Sequence, residues 1–400
     1  MSKNHDPISK SKFMGKREAQ IPLRITPELI ESSTYMIERD RDCGYQARAR
    51  YEAAKKWAEA KENGNYVCMG ISGAFTPVGL GGLIADLTEM GAIDFITTTG
   101  ANLYHDLHFA FGLPVRHGSH RVDDNKLRKD KTTRIYTQFI HNDYTLKAQD
   151  MLIQDFSRRV LPKLNQPFSS AEFLYGLGKE MLNDKSVVVD KKGSMLIRAA
   201  EHGMPIFLDS NSNHSLGMNL ARLSLKGYKA DISPTKDILQ AAALSMKTQP
   251  QLNIFFGEGG PRNFIQTTAP TACEIFGIPF EGSDFCIRFT TADETSGALS
   301  GSSQNEAVSW GKYEETGREI EVRGDYTLSV QSVTGYVAGK VNKQPSRLMS
   351  KLGEITNEFI EKIDKNRSRV EKMQNRLRKD LPDVVMHEIE ARKKAGYKFN

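Results

Sequence analysis

Tyr66-Val-Cys-Met-Gly70 is a short apolar run, and three segments follow it in close succession. These are the loop Ser72-Gly-Ala-Phe-Thr-Pro77, the amphipathic stretch Gly79–Glu89 and a second apolar run, Ile93-Asp-Phe-Ile-Thr97. A short apolar run bounded by glycine and proline is typical of a buried strand, and the longer amphipathic stretch is typical of a helix. The order predicts a strand, a loop, a helix and a parallel strand.

The same order recurs farther along the chain. The predicted helices are Ser194–Glu201 and Thr235–Met246, and the predicted strands are Pro205–Leu208, Leu252–Phe256 and Phe285–Phe289. Repetition of strand and helix in this order favours a parallel sheet with helices on both faces. We therefore predict an α/β protein with a Rossmann-like, doubly wound parallel sheet.

A polar loop follows each of the five predicted strands. In such sheets ligands bind beyond the carboxyl ends of the strands, so all five loops are predicted at one edge. One loop of this kind is ordinary turn chemistry, whereas five in series indicate a large polar ligand. The loops are Ser72–Pro77, Thr98–Asn102, Asp209–Asn213, Gly257–Gly260 and Thr290–Asp293.

The two ends differ from the middle. Residues 1–25 are predicted to form a flexible basic arm, and Ile25–Ala60 a helix that starts at the N-cap Thr26. Residues 26–341 are predicted as the main domain and 342–400 as a charged helical extension. Within the extension, Pro345–Ala395 has one apolar stripe that packs on the main domain or on a neighbouring subunit; the stripe is Leu352, Ile355, Phe359 and Ile363.

The composition narrows the class of protein. The chain has 400 residues, of which 39% are hydrophobic and 26% charged, as in a globular protein. It has no apolar run near the length of a membrane span and no apolar signal-peptide core, so we expect a cytoplasmic protein without membrane association. The four cysteines form no C-x-x-C pair, and the net charge of +6 is concentrated near the ends, where acidic residues interrupt it. A disulfide framework and nucleic-acid binding are both disfavoured.

One lysine has neighbours suited to covalent catalysis. Lys312 ends the string Glu306-Ala-Val-Ser-Trp-Gly-Lys312. A lysine attacks an imine only as the neutral amine, which requires burial or nearby charge. Trp310 supplies an apolar wall that also holds cations, and Glu306 supplies a carboxylate for an ammonium group. On these properties alone, a surface lysine remains the commoner interpretation.

The complete string closely resembles the active-site signature of deoxyhypusine synthases and of the homospermidine synthases derived from them. The resemblance runs from about residue 64 to residue 327 and is most like a divergent deoxyhypusine synthase-like branch. Further matching segments are Gly70-Ile-Ser-Gly73, Ile93–Thr99, Asp106-Leu107, Ser215-Leu-Gly217, Gly257–Gly260, Thr291-Ala292 and Asp325.

The resemblance implies a reaction, a cofactor and an assembly. In that family NAD oxidises an amine to an imine, the lysine takes over an aminobutyl group, and an acceptor amine receives it. The acceptor is a protein lysine in deoxyhypusine synthase and putrescine in homospermidine synthase. The family is homotetrameric, with NAD at subunit interfaces. For this chain the resemblance implies polyamine substrates and catalysis by Lys312.

Site residues follow from the same resemblance. The implied substrate-binding residues are Tyr104, His105, Asn263, Glu306 and Trp310. The implied NAD-binding residues are Ser72, Gly73, Thr98, Thr99, Gly100, Asn213, Gly259, Thr291, Ala292 and Asp325.

The chain departs from the family's pattern mainly around the amine. In chain order, Tyr104 and His105 replace two adjacent glutamates, Asn213 replaces an NAD-contacting aspartate, Met218 replaces a substrate aspartate, Asn263 replaces a histidine, and Gly297-Ala-Leu299 replaces Gly-Ser-Asp. Several acidic anchors for ammonium groups are thereby lost, each worth roughly 1.5–3 kcal/mol. We predict retained chemistry with a changed substrate. The acidic residues left as candidate anchors are Glu258, Asp293, Glu294 and Glu306.

A metal site is disfavoured, and two rival functions stay open. His105, Asp106 and His108 are of metal-binding types but lack a strong ligand spacing, so no metal is predicted. The protein is alternatively an NAD-dependent amine dehydrogenase without a covalent intermediate. The second rival is a non-catalytic homologue that binds NAD or an amine.

Overall fold

A six-stranded parallel sheet forms the centre of the protein in a computed structural model that describes residues 7–398, apart from the side chains of residues 7, 304 and 315–318. Its strands, in chain order, are β1 (Tyr66–Ile71), β2 (Phe95–Thr98), β6 (Ile206–Leu208), β7 (Gln251–Phe256), β8 (Ser283–Thr290) and β9 (Tyr313–Arg323). A smaller antiparallel sheet contains β3 (Val115–His117), β4 (Thr132–Ile135) and β5 (Gln138–His141).

The order of the large sheet confirms the doubly wound prediction. Its neighbours run β6-β2-β1-β7-β8-β9, which is 3-2-1-4-5-6 when the six strands are numbered along the chain. That order is the Rossmann arrangement, in which the winding reverses between the first and fourth strands. Here the reversal lies between β1 and β7, whose register pairs Ile71 with Phe256. A crevice for a ligand is expected beyond the carboxyl ends of these two strands.

Helices cover both faces of the large sheet. On β7, Ile254 and Phe256 belong to one buried cluster while Phe255 belongs to another, because successive side chains point to opposite faces. The helices are α1 (Pro27–Asp40), α2 (Tyr45–Glu62), α3 (Gly81–Glu89), α4 (Gly100–Ala110), α5 (Asp124–Lys129), α6 (Ala148–Val160), α7 (Ser170–Asn183), α8 (Met195–His202), α9 (Ser215–Ser224), α10 (Pro234–Lys247), α11 (Gly260–Gln266), α12 (Thr268–Pro270), α13 (Gln304–Ser309), α14 (Val330–Lys340) and α15 (Leu352–Lys394).

The N-terminal region differs from the prediction in two ways. The single helix predicted over Ile25–Ala60 is two helices, because the chain turns between Asp40 and Tyr45 and Tyr45 has a φ of 52°. The arm predicted to be flexible is packed from residue 7 onward. Ile8 and Met14 are buried with Phe139 of the small sheet, so apolar contacts hold the arm down.

Two features escaped prediction. Strand β9, directly after Lys312, is rich in charged residues and lacks the apolar pattern of a buried strand. The small sheet covers the described part of the arm, with a bridge between Ala19 and Arg116.

Among the described residues, the helices include none that is both long and apolar enough to cross a membrane.

Helix α15 confirms the charged helix predicted for the extension. Its first turns pack on α10, where Lys247 Nζ lies 2.7 Å from a carboxylate oxygen of Glu358. Leu352, Ile355 and Phe359 are buried there.

Candidate functional site

A crevice of about 790 Å³ lies where the winding of the sheet reverses. Ser72 and Gly73 come from the loop after β1, and Gly257 and Gly259 come from the loop after β7. The volume lies within the range of about 300–1,000 Å³ found for small-molecule sites. The chain topology therefore brings the first and fourth loops together, as the sequence predicts.

Backbone conformation shapes this crevice. Gly73, Gly257 and Gly259 have φ angles of 69°, 74° and 85°, a region that side chains disfavour. A Cβ atom on Gly73 would lie 3.0 Å from the hydroxyl oxygen of Tyr326. The loops thus present bare backbone to a ligand, which is what close approach of a pyrophosphate requires.

Six of the residues predicted to bind NAD line the crevice. Tyr326, Gln331 and the small-sheet residues Tyr136–Gln138 complete its wall, and sequence reasoning missed them because only tertiary packing brings them there. The six predicted residues are Ser72, Gly73, Gly259, Thr291, Ala292 and Asp325.

The other four predicted NAD residues lie outside the crevice wall. The Thr98 hydroxyl donates to the Ile71 carbonyl, and the Thr99 side chain caps α4. Gly100 packs so closely on the His214 ring that a Cβ atom would lie 2.2 Å from it. Asn213 is exposed in the loop between β6 and α9. In the single chain, the side chains of Thr98 and Thr99 therefore contribute to local structure.

A second cavity, of about 750 Å³, contains Lys312. Asn263, Glu306 and Trp310 line the same cavity, so the fold brings Asn263 to the predicted residues of the Glu306–Lys312 string. Lys312 Nζ donates a hydrogen bond of 3.0 Å to Asn263 Oδ1. Trp310 is 64% exposed at the edge of the cavity, where its ring is open to a ligand.

Local structure explains how Lys312 is positioned. Ser303 caps α13 by accepting from the Glu306 backbone N–H. The helix ends at Ser309, and Gly311, two residues later, has a φ of 67° that suits glycine. The Lys312 N–H then donates to the Ala307 carbonyl over 3.1 Å. The lysine therefore leaves a fixed helix end, and β9 begins with the next residue.

The electrostatic surroundings favour the neutral form of Lys312. Burial lowers the pKa of its amine, and the nearby Arg262 guanidinium lowers it further, while the Glu306 carboxylate acts in the opposite direction. A lowered pKa places more of the lysine in the nucleophilic form near neutral pH.

A buried ion network forms the wall between the two cavities. Glu258 lies 2.8 Å from Arg288 and also pairs with Arg262. Arg288 is 1% exposed and pairs with Glu319 at 3.0 Å as well. Both arginines donate to the Ser302 carbonyl. Because Glu258 lines the crevice and Ser302 lines the lysine cavity, the network joins the two sites.

This network corrects one sequence expectation. Glu258 was a candidate anchor for a substrate amine, but two arginines already hold its carboxylate. Glu294 and Glu306 do line the lysine cavity, and Glu274 joins them from a π-helical turn, Thr271–Ile275. Asp293 is used locally, because its carboxylate accepts from Thr295. Glu274 could not be identified from sequence, since it belongs to no recognised string.

Tyr104 and His105 do not line either cavity. The Tyr104 hydroxyl donates to an Asp150 carboxylate oxygen over 2.9 Å, and His105 Nδ1 lies 2.9 Å from His108 Nε2. Burial lowers the pKa of His105 to about 4, so the ring is neutral at ordinary pH. Asp106 points elsewhere and accepts from Ser194 and Met195 at the start of α8. The three side chains of the H-D-x-H group thus do not converge on one point.

Comparison with known proteins shows which family the chain belongs to. The sequence profile of the family described as "Deoxyhypusine synthase" matches residues 35–331. A "Deoxyhypusine synthase-like protein" of Nostoc sp. is 32% identical over 88% of this chain and 91% of its own length. A "Probable deoxyhypusine synthase 2" of Methanosarcina acetivorans is 34% identical over 72% of this chain and 82% of its own length.

A solved structure has the same fold. It is a crystal structure of a deoxyhypusine synthase candidate from Entamoeba histolytica, with a TM-score of 0.51 and 13% identity. The match covers 77% of this chain and 94% of that one. With a family profile across most of the chain and relatives above 30% identity, the chain belongs to the deoxyhypusine synthase family.

Proposed function

We propose that the protein is an NAD-dependent transferase that moves an aminobutyl, or similar aminoalkyl, group from a polyamine to an acceptor amine through an imine of Lys312. Family membership supports the general class, because deoxyhypusine synthases are NAD-dependent transferases. The observation that carries the proposal is the position of Lys312. Its amine is half-buried, held by Asn263 and separated from the crevice by one layer of ion pairs.

The crevice at the reversal of the sheet fits NAD. Ser72, Gly73 and Gly259 would hold it with backbone groups, and Asp325 and Thr291 would supply polar side chains. When bound, NAD supplies the hydride acceptor that converts the donor amine to an imine and later returns the hydride.

Lys312 acts on the oxidised donor. Its neutral amine attacks the carbon of the protonated imine. A diamine then leaves with one proton taken from the lysine nitrogen, and the protonated imine of Lys312 remains. Asn263 Oδ1 accepts a hydrogen bond from Nζ and so directs the amine. The acceptor amine then attacks the same carbon, releases Lys312, and forms the imine that the returned hydride reduces.

The cavity is suited to a substrate with several positive charges. Glu274, Glu294 and Glu306 line it, and the exposed face of Trp310 is available to an ammonium group. None of these is one of the replaced residues, so the cavity retains negative charge after the loss of several family carboxylates. We propose altered polyamine specificity on this basis. Putrescine is the first acceptor to test, because transfer to putrescine would form homospermidine. A homotetramer with sites at subunit interfaces is part of the same proposal.

A borohydride trap tests the mechanism. The protein is incubated with NAD and a panel of polyamines, reduced with borohydride, digested and analysed by mass spectrometry. The expected result is an aminoalkyl group on Lys312 that is absent from Lys312→Ala. Mass spectrometry of the released products then separates a small acceptor from a protein lysine.

Two results would overturn the proposal. Release of free NADH without any adduct on Lys312 would indicate an amine dehydrogenase. Binding of NAD with neither adduct nor NADH across the panel would indicate a non-catalytic homologue.

A further inference from the structure

One face of α15 stays apolar far beyond the point where the helix leaves the protein body. Leu352, Ile355 and Phe359 are buried on this face. At about 100° per residue, the later apolar residues fall in the same sector, about 80° wide. They are Val370, Met373, Leu377, Leu381 and Val384.

The outer part of this stripe is exposed in the single chain. Val370 makes the last contact with the body, since a Cβ atom on Gly277 would lie 2.5 Å from its methyl group. Leu377 and Leu381 are each 57% exposed, and Val384 is 61% exposed. Scattered apolar residues are normal on a surface, but a regular stripe about 21 Å long marks an interaction surface.

The spacing of the stripe is symmetrical. From Val370 to Val384 the intervals are three, four, four and three residues, centred on Leu377. In an antiparallel pair of two such helices, Leu377 lies opposite Leu377 of the second copy. Met373 then lies opposite Leu381 of the second copy, and Val370 opposite Val384. Every apolar residue of the stripe therefore meets another apolar residue.

The flanking charges point to the same arrangement. Along one edge of the stripe, Arg369 and Arg376 are followed by Asp380 and Asp383. Antiparallel pairing about Leu377 places Arg376 near Asp380 of the second copy and Arg369 near Asp383. The opposite edge, which contains Arg367 and Arg378, has no such alternation of charge and adds nothing to this pairing.

A parallel pair would lose these contacts. The edge that contains Arg369, Arg376, Asp380 and Asp383 would then lie beside the opposite edge of the second helix, so its arginines and aspartates would not meet each other. A nucleic acid would suit only the basic part of the segment, because residues 380–390 contain four acidic residues and no lysine or arginine.

We propose that the outer half of α15 binds the same segment of a second copy of this chain as an antiparallel helix pair centred on Leu377. The pairing buries the stripe from Val370 to Val384 and matches basic with acidic residues along the edge that contains Arg369, Arg376, Asp380 and Asp383. It does not depend on the proposed function, because none of these residues lines the crevice or the lysine cavity.

Cysteine cross-linking in the full-length protein tests the pairing directly. The exposed Cys43 is first replaced by serine. Leu377→Cys is expected to form a disulfide with itself under mild oxidation. Met373→Cys and Leu381→Cys are expected to cross-link when mixed but not alone, because each lies about 12 Å along the axis from its own copy. A disulfide needs Cα atoms within about 7 Å.

Two cross-linking outcomes would overturn the proposal. Self-linking of all three variants to the same extent would indicate a parallel pair. Absence of a Leu377→Cys disulfide, in protein with unchanged far-ultraviolet circular dichroism, would show that the stripe does not meet its own copy.

Charge exchange gives an independent test on exposed residues. One variant carries Arg369→Asp and Arg376→Asp, and the other carries Asp380→Arg and Asp383→Arg. With Leu377→Cys present in both, each variant alone is expected to cross-link at least tenfold more slowly than the parent. Mixing them is expected to restore the rate through the mixed pair. Equal rates for the separate and mixed variants would contradict the assigned edge contacts.

Discussion

The crevice and the lysine cavity lie side by side, but backbone groups form much of the first and side chains form most of the second. Backbone at strand ends forms much of the crevice, with Gly73, Gly257 and Gly259 in conformations that favour glycine. Side chains from the short helices α11 and α13 and from the loop after β8 form the lysine cavity. A backbone site depends on topology and tolerates sequence change, whereas each side chain in the second site is open to replacement.

This difference bears on some of the positions where the sequence departs from the family's pattern. Asn263 and Gly297-Ala-Leu299 line the lysine cavity, whereas Tyr104 and Met218 line neither site. The proposed change of amine specificity would therefore act through the lysine cavity, with the crevice left to bind the nucleotide. The predictions below are designed to affect the two sites separately, or the wall between them.

The largest expected effect is on turnover in Lys312→Ala. Removing the nucleophile should lower kcat by roughly 10³-fold or more, because the covalent transfer has no substitute amine. NAD affinity should stay within about twofold, since the lysine does not line the crevice. Steady-state kinetics and NAD titration by fluorescence would measure the two quantities. A comparable loss of NAD affinity would show that the two sites are not separable.

Arg288→Met removes the central arginine of the ion network between the two sites. It leaves the carboxylates of Glu258 and Glu319 without their central partner, which costs about 3–5 kcal/mol in unfolding free energy. Arg134→Met is the control, because the Arg134–Asp124 pair lies at the surface and should contribute little to stability. Urea denaturation would compare them. Equal losses would mean that the network is not a structural wall.

Gly73→Ala tests the backbone site. The added methyl group would lie 3.0 Å from the Tyr326 hydroxyl, and a φ of 69° is strained for alanine. A strain of about 1–2 kcal/mol should raise the NAD dissociation constant roughly tenfold. Gly64→Ala has a similar φ of 82° with open space around it, and it should leave NAD affinity unchanged. A weaker NAD affinity in both variants would attribute the effect to general loss of stability.

The sequence predicts more of the crevice than of the lysine cavity. The crevice follows from the strand pattern, and the lysine cavity follows from a short motif. Periodicity identified five of the six strands of the large sheet, and topology then brought Ser72 and Gly259 together. Strand β9 was missed because its charged side chains hide the apolar alternation. For the lysine cavity only the Glu306–Lys312 string was informative.

The remaining residues depend on packing that no local pattern records. Arg288 lies within a predicted strand, yet nothing in its neighbours indicates that it holds Glu258 and Glu319. Similarly, Tyr104 takes a family position in the sequence, but its hydroxyl bonds to Asp150, 46 residues away. Such partners are set by the three-dimensional path of the chain.

Glu306→Gln is expected to have the smallest effect and to separate binding from proton chemistry within the lysine cavity. Loss of the carboxylate removes an anchor for a substrate ammonium, so KM should rise roughly tenfold. The same carboxylate raises the pKa of Lys312, and its removal should lower that pKa. The neutral amine forms above its pKa, so the rising limb of the kcat profile should move to lower pH. Asp293→Asn is the control, since Asp293 does not line the cavity. A limb that moves to higher pH would contradict the assigned role of Glu306, because the carboxylate would then not be raising the pKa of Lys312.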